Sequence, residues 1–209
     1  MTTALDTESA VPDRREAIAD AAIRIVARDG LRSLTHRAVD RELELPTGST
    51  SYYVRTRRQL MELVVRRLAG RTRSDLAGRP PAPEPADDPD ARAIQAMTAL
   101  IERLASRPDD QLTRFALAVD LHTDPDLHRF ITSGSPIREE MMAGARAVVA
   151  ATGVEDVDGA ARGLMVLADA LVFDRLAGSG VDEGQRADPA LVLGAYLTGL
   201  RSSASRAEG

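Results

Sequence analysis

Apolar positions recur every three or four residues along most of the chain, and no stretch alternates with the two-residue period of a strand. The pattern predicts an all-α protein. A first helix begins near Asp13, where Asp13 and Glu16 stand in capping-box relation, and it aligns Ile18, Ala22, Ile25 and Val26 before Gly30 ends it. Leu31 and Leu34 anchor a connection to a second, short helix that Thr35 is placed to cap. Val39 and Leu43 face inward there, with His36, Arg37 and Arg41 outside. Pro46 disfavours helical geometry at Leu45 and is tolerated in the first turn of a third helix. Thr56 and Gln59 then form a second capping box, opening a fourth helix along Leu60, Leu63, Val64 and Leu68 to about Ala77.

Residues 79–90 hold five of the eleven prolines and no apolar side chain larger than alanine or proline, the composition of an extended linker. The periodicity resumes after Asp90, with helices to Ser106, from Asp110 to His122, from Asp124 to near Gly134, and from Ser135 to Ala151. Four segments follow: a disordered residues 1–12, a head over 13–78, the linker 79–90 and a helical body over 91–209. The last two helices, 157–177 and 189–203, are apolar almost all round. Such helices need burial both in their own domain and against a partner, which predicts a homodimer through them. The alternative is a monomeric core helix followed by a terminal one.

Charge sharpens this division. The net charge is −5, yet residues 28–73 hold 11 Arg against 5 Asp or Glu, whereas residues 79–209 hold 13 Arg against 21 acids. A basic head on an acidic body places any phosphate contact in the head. All 27 basic residues are arginine, and there is no cysteine, so disulfides and thiolate metal sites are excluded. The N-terminal stretch is acidic without an apolar centre, and no run of about 18 apolar residues occurs, so a cytoplasmic protein is expected.

Within the head, Thr35–Leu60 reads as a helix-turn-helix: two short helices, a tight turn, and a second helix rich in small hydroxyls, with Tyr52 and Tyr53. Burial does not explain such a helix, whereas close approach to a DNA groove does. The stretch resembles the DNA-binding domain of the tetracycline-repressor family of transcriptional regulators. Thr35 and Arg37 match the family's start of the second helix, Leu45 its valine, Gly48 and Ser49 its Gly-Thr step, Arg57 its lysine and Leu60 its leucine. Glu44 replaces the turn glycine, Pro46 the serine, Thr50 the leucine, Ser51 the tyrosine, Tyr53 the histidine and Val54 the phenylalanine.

The resemblance implies a DNA-binding regulator, in this family usually a small-molecule-responsive repressor acting on a palindromic operator as a dimer. The expected DNA contacts are Thr35, His36, Arg37, Thr47, Gly48, Ser49, Tyr52, Tyr53 and Arg57. Arg37 would read a guanine edge and Arg57 would hold a phosphate. The body would enclose an effector, with Met97, Ile101, Phe115, Val119, His122, Met141, Met165, Asp169 and Phe173 on inward faces. Asp169, on an apolar helix, needs a partner: a ligand, a dimer contact, Arg162 or Arg175.

Competing readings are a constitutive DNA-binding protein and an all-helical enzyme. No phosphate-cradling glycine loop, nucleophile elbow or Glu-x-x-His pair occurs to support the enzyme. The run Asp120, His122, Asp124, Asp126 and His128 has ligand chemistry, but residues two apart do not share a helix face. No metal or cofactor is expected.

Overall fold

The computed structural model describes residues 13–77 and 88–207, with side chains through residue 202. The expected disordered N-terminus and most of the expected linker therefore lie outside the described residues. Within them the chain forms helices joined by short turns and no strand. The helices are α1 (Arg14–Asp29), α2 (His36–Glu42), α3 (Ser49–Tyr53), α4 (Arg57–Ala77), α5 (Pro89–Ala105), α6 (Pro108–Asp120), α7 (Pro125–Ile131), α8 (Arg138–Ala150), α9 (Val157–Ala177) and α10 (Pro189–Ala207).

The ends of these helices are set by local chemistry. Asp13 caps α1 by accepting from the Arg15 amide (3.1 Å), and Thr35 caps α2 through the Ala38 amide (3.1 Å). At α4 the capping box closes both ways: Gln59 donates its amide to the Thr56 hydroxyl (3.1 Å) and accepts from the Thr56 amide (3.3 Å). Prolines open α5, α6 and α7 at positions whose amides have no helical partner anyway. Pro46 departs from expectation. It sits in the turn, three residues before α3 begins at Ser49. The start of α5 also differs, because Asp88 caps it through the Asp90 amide (3.0 Å) and Pro89 and Asp90 become its first turn.

The side chains gather into two cores. The first packs Ile18, Ala22 and Ile25 of α1 against Val39 of α2 and Leu60, Val64 and Leu68 of α4. It is completed by the body, since Leu117 and Leu121 at the end of α6 and Leu127 of α7 are buried in it. The second core packs Ile101 of α5, Val149 of α8, Leu164 and Val172 of α9, and Leu193 of α10. α4 reaches from one core to the edge of the other: its 21 residues span about 31 Å at the helical rise. In the second core α9 and α10 approach closely at Gly163, where any β-carbon would overlap the Tyr196 hydroxyl. That hydroxyl donates to the Ala160 carbonyl (3.0 Å).

Candidate functional site

The turn between α2 and α3 is organised by one carboxylate. Asp40, on the last turns of α2, is 3 % exposed. Its two oxygens accept from the Gly48 amide (2.7 Å), the Thr50 amide (2.7 Å) and the Thr50 hydroxyl (2.6 Å). Burial by itself pushes the Asp40 carboxyl up, but the bonds from Thr50 and Gly48 outweigh it and hold the group below its ordinary 3.8. Two residues of the turn take left-handed backbone angles. Gly48 has φ 97°, free of strain for glycine, and Glu44 has φ 54° at the position where the family carries glycine. Glu44 thus holds a left-handed backbone angle that its side chain does not favour.

Further bonds fix this unit to α1. Glu42 accepts from Arg24 (3.0 Å) and Arg28 (3.3 Å), which hold its carboxyl below the ordinary range, Arg24 contributing most. Arg15 donates to the Tyr53 carbonyl (2.9 Å), and His36 donates its Nε2 proton to the Val54 carbonyl (2.7 Å). His36 is consequently half-buried rather than outside. The guanidinium of Arg57 donates to the carbonyls of Leu34 and Leu31 (2.8 Å to the latter), bracing α4 against the α1–α2 connection. The Thr35 hydroxyl is likewise engaged in its cap, and the Ser49 hydroxyl donates to the Pro46 carbonyl (2.7 Å).

Other expected contacts remain outward. Arg37 is exposed on α2, Thr47 and Gly48 are exposed in the turn, and Tyr52 is 81 % exposed on α3 beside the edge-on ring of Tyr53 (5.1 Å). The inner side of α3 holds Thr50, 0 % exposed, and Val54 follows it, also buried. Asp40 was not legible as a functional residue. The signal that could have found it is Thr50, a hydroxyl at a position the family fills with leucine, which needs a buried partner.

Head and body are tied by ion pairs. Arg71 of α4 bridges Asp110 of α6 (2.5 Å) and Asp20 of α1 (2.7 Å), onto which Arg67 also forks within the head (2.7 and 3.0 Å). The buried Thr113 hydroxyl donates to the Ile23 carbonyl of α1 (2.9 Å).

In the body, a cavity of about 380 Å³ opens between the end of α4 and helices α5, α8 and α9. Met97, Met141, Met165 and Asp169 line it, as expected positions. A second cavity of about 330 Å³ adjoins it, sharing Leu104, Met141, Met165 and Asp169 and adding Phe115 and Leu117 of α6. Ile101 is buried in the second core and lines neither cavity. Val119, His122 and Phe173 are not brought to them. Val119 (68 %) and Phe173 (45 %) are exposed, and so is His122, whose Nδ1 donates to the Val119 carbonyl (2.7 Å). Helical spacing told which side of α6 was apolar but not that the helix ends beyond the cavity. Asp169 is half exposed and takes Arg114 as its partner (2.9 Å), in place of Arg162 or Arg175. Arg73, Arg103, Arg114 and Glu140 on the cavity walls were not anticipated.

Among the described residues α9 leaves Val166, Ala170 and Phe173 exposed along one line, and α10 leaves Leu191 and Ala195 exposed. Leu193 and Leu197 instead point into the chain's own second core or beside it, at 1 % and 2 % exposed. No helix among the described residues is long and apolar enough to cross a membrane.

Comparison with known proteins fits this architecture. The family model for the tetracycline-repressor-like C-terminal domain matches residues 88–200, more than half of the chain. A transcriptional regulator from Rhodococcus sp. RHA1 superposes with a TM-score of 0.70 at 19 % identity, covering 91 % of this chain and 97 % of that one. A tetracycline-repressor-family member from Streptomyces coelicolor A3 gives 0.63 at 25 % identity, covering 90 % and 98 %. The multidrug binding protein EbrR, solved with imidazole, gives 0.59 at 26 % identity, covering 90 % of each chain. No curated protein matches. The chain belongs to the tetracycline-repressor-like family of transcriptional regulators.

Proposed function

We propose that this regulator is a repressor that binds a palindromic operator as a homodimer and leaves it when a small molecule fills the body's cavity. The observation that carries the reading is the Asp40 clasp. It fixes α3 against α2 and leaves Arg37, the Thr47–Gly48 turn and Tyr52 exposed on the basic part of the chain, where we place the DNA-binding face. On that face Arg37 reads a guanine edge, whose O6 and N7 suit a guanidinium fork. Thr47, Gly48 and Ser49 allow the backbone close to the groove, and Tyr52 and Tyr53 contact phosphate and base edges. Thr35, His36 and Arg57 act mainly by holding this face in place, because their polar groups are bonded within the head.

Dimerisation goes through the exposed lines Val166, Ala170 and Phe173 of α9 and Leu191 and Ala195 of α10. A two-fold pair would set two recognition helices about 34–36 Å apart, one turn of duplex. The effector reading is supported by the paired cavities, and by the structural likeness to EbrR, a multidrug binding protein. The family match points to a regulator rather than an enzyme.

The test is fluorescence-anisotropy titration against fragments of the promoter regions beside its own gene. One fragment containing an inverted repeat should bind two chains, far more tightly than a scrambled control at equal salt. Equal affinity for both fragments would show that α3 carries no sequence recognition.

A further inference from the structure

The cavities have a charge pattern that selects among effectors. Their walls are largely apolar, formed by Met97, Leu100, Leu104, Met141, Val148 and Met165. The two acids on them are already answered: Glu140 takes Arg73 (2.6 Å) and Asp169 takes Arg114 (2.9 Å). Two further arginines remain. Arg103 lines the first cavity and Arg138 the second, and among the described residues neither has a carboxylate partner. The Arg103 Nε is cut off from solvent and has no hydrogen-bond partner among the described residues. Nε is thereby closed to any occupant of the cavity as well, whereas the two terminal guanidinium nitrogens are neither closed off nor hydrogen-bonded among the described residues, and an acceptor in the cavity can meet them there.

The geometry points to an apolar monocarboxylate as the effector, its chain lying along the methionine-lined wall and its carboxylate on Arg103. The inference deepens the effector reading above and rests on it for its consequence at the DNA. A cation is disfavoured because each wall acid is already neutralised by its own arginine, so the cavity offers a cation no unanswered negative charge. A neutral molecule of the same shape would fill the apolar space but leave the Arg103 guanidinium without a counter-charge. The shared methionines Met141 and Met165 stand between the two chambers, and their flexible side chains let one ligand extend from one into the other.

The test uses the full chain and three probes with the same ten-carbon tail: decanoate, decanol and decyltrimethylammonium. Isothermal titration measures binding without DNA, and anisotropy measures operator release separately. Decanoate should bind tightest. Arg103→Gln should weaken it about tenfold or more while leaving decanol unchanged, and Arg103→Lys should recover part of the loss. The inference is overturned if decyltrimethylammonium or decanol binds as well as decanoate, if no probe binds, or if Arg103→Gln leaves decanoate unaffected in a variant with wild-type thermal stability. Should decanoate bind through Arg103 yet leave operator affinity unchanged, the site assignment stands and the effector-release reading fails. Release of the operator by the cation alone would do the reverse.

Discussion

Replacing Asp40 by asparagine changes one oxygen for an NH2 group in the most tightly determined part of the head. The wild-type carboxylate answers three donors: one oxygen takes both Thr50 groups and the other takes the Gly48 amide. An asparagine that keeps the Thr50 pair must aim its NH2 at the Gly48 amide, donor against donor, in a site 3 % exposed. One charge-assisted bond is lost, two others weaken to neutral strength, and buried donors are left unanswered. Together these should cost about 2–4 kcal/mol. Thr50→Val keeps both amide bonds and removes only the hydroxyl's, so it should cost about 1–2 kcal/mol. Urea denaturation of both variants gives the stability, and anisotropy on the operator gives the consequence, which should be a larger loss for operator than for unrelated DNA.

The pH dependence of Asp40→Asn follows from its sign. The folded-state carboxyl lies below its ordinary value, so its stabilisation is complete above the unfolded value of about 4 and disappears as pH falls through the folded value. The difference between wild type and Asp40→Asn should therefore be constant near neutrality and shrink below about pH 4. An Asp40→Asn variant with the wild-type urea midpoint and wild-type operator affinity would refute the idea that this clasp holds α3.

Arg37→Lys keeps the charge but loses the planar fork, so it should cost about 1–3 kcal/mol on the operator and relax discrimination at one base pair per half-site. Titration against single-base operator variants checks it, and an unchanged ranking would make Arg37 a backbone contact. Glu44→Gly relieves a left-handed side chain and should stabilise the head by up to about 1 kcal/mol, read from thermal unfolding. Val166→Arg places a charge on the exposed line of α9 and should yield a folded monomer by light scattering with weakened operator binding. The same substitution at Leu197, which is 2 % exposed within one chain, should unfold the body instead.

Legibility in the sequence followed the range of the interaction. Helix positions came from local periodicity and capping, so α9 begins and ends where its apolar run does, and Thr56 with Gln59 closes α4. The helix-turn-helix was readable from its small hydroxyls and the basic run around it. Contacts spanning ten residues or more were not. The Asp40–Thr50 clasp, Arg57 on the Leu31 carbonyl and Arg114 on Asp169 depend on how helices rotate against one another, which periodicity leaves open by tens of degrees. The same reason separates Met97, Met141 and Met165, which reach the cavity, from Val119 and Phe173, which share their apolar character but lie past its edge.

α6 shows why the proposed effector site and DNA-binding face need not be close to be coupled. Leu117 belongs to the head's core, Thr113 bonds the Ile23 carbonyl of α1, and Asp110 holds Arg71 of α4. The same three turns present Gln111, Arg114 and Phe115 to the second cavity. A helix has one rotation and one axial position, so it cannot adjust to a ligand on one side and keep its seat on the other. Under the proposed ligand response, a displacement of α6 would strain Leu117 and Thr113 against α1. In the proposed mechanism α1 would carry that displacement to α2 and α3 through Arg15, Arg24 and Arg28, which bond the Tyr53 carbonyl and Glu42. Under the proposed mechanism a ligand would lower operator affinity only by its difference in affinity for the operator-bound and released states, typically about 1–3 kcal/mol, or roughly 5–150-fold. Arg71 joins α1 to α6 through Asp20 and Asp110, and removing either Arg71 or Asp110 opens that joint while the other keeps one partner, Asp20 for Arg71 and Arg107 for Asp110.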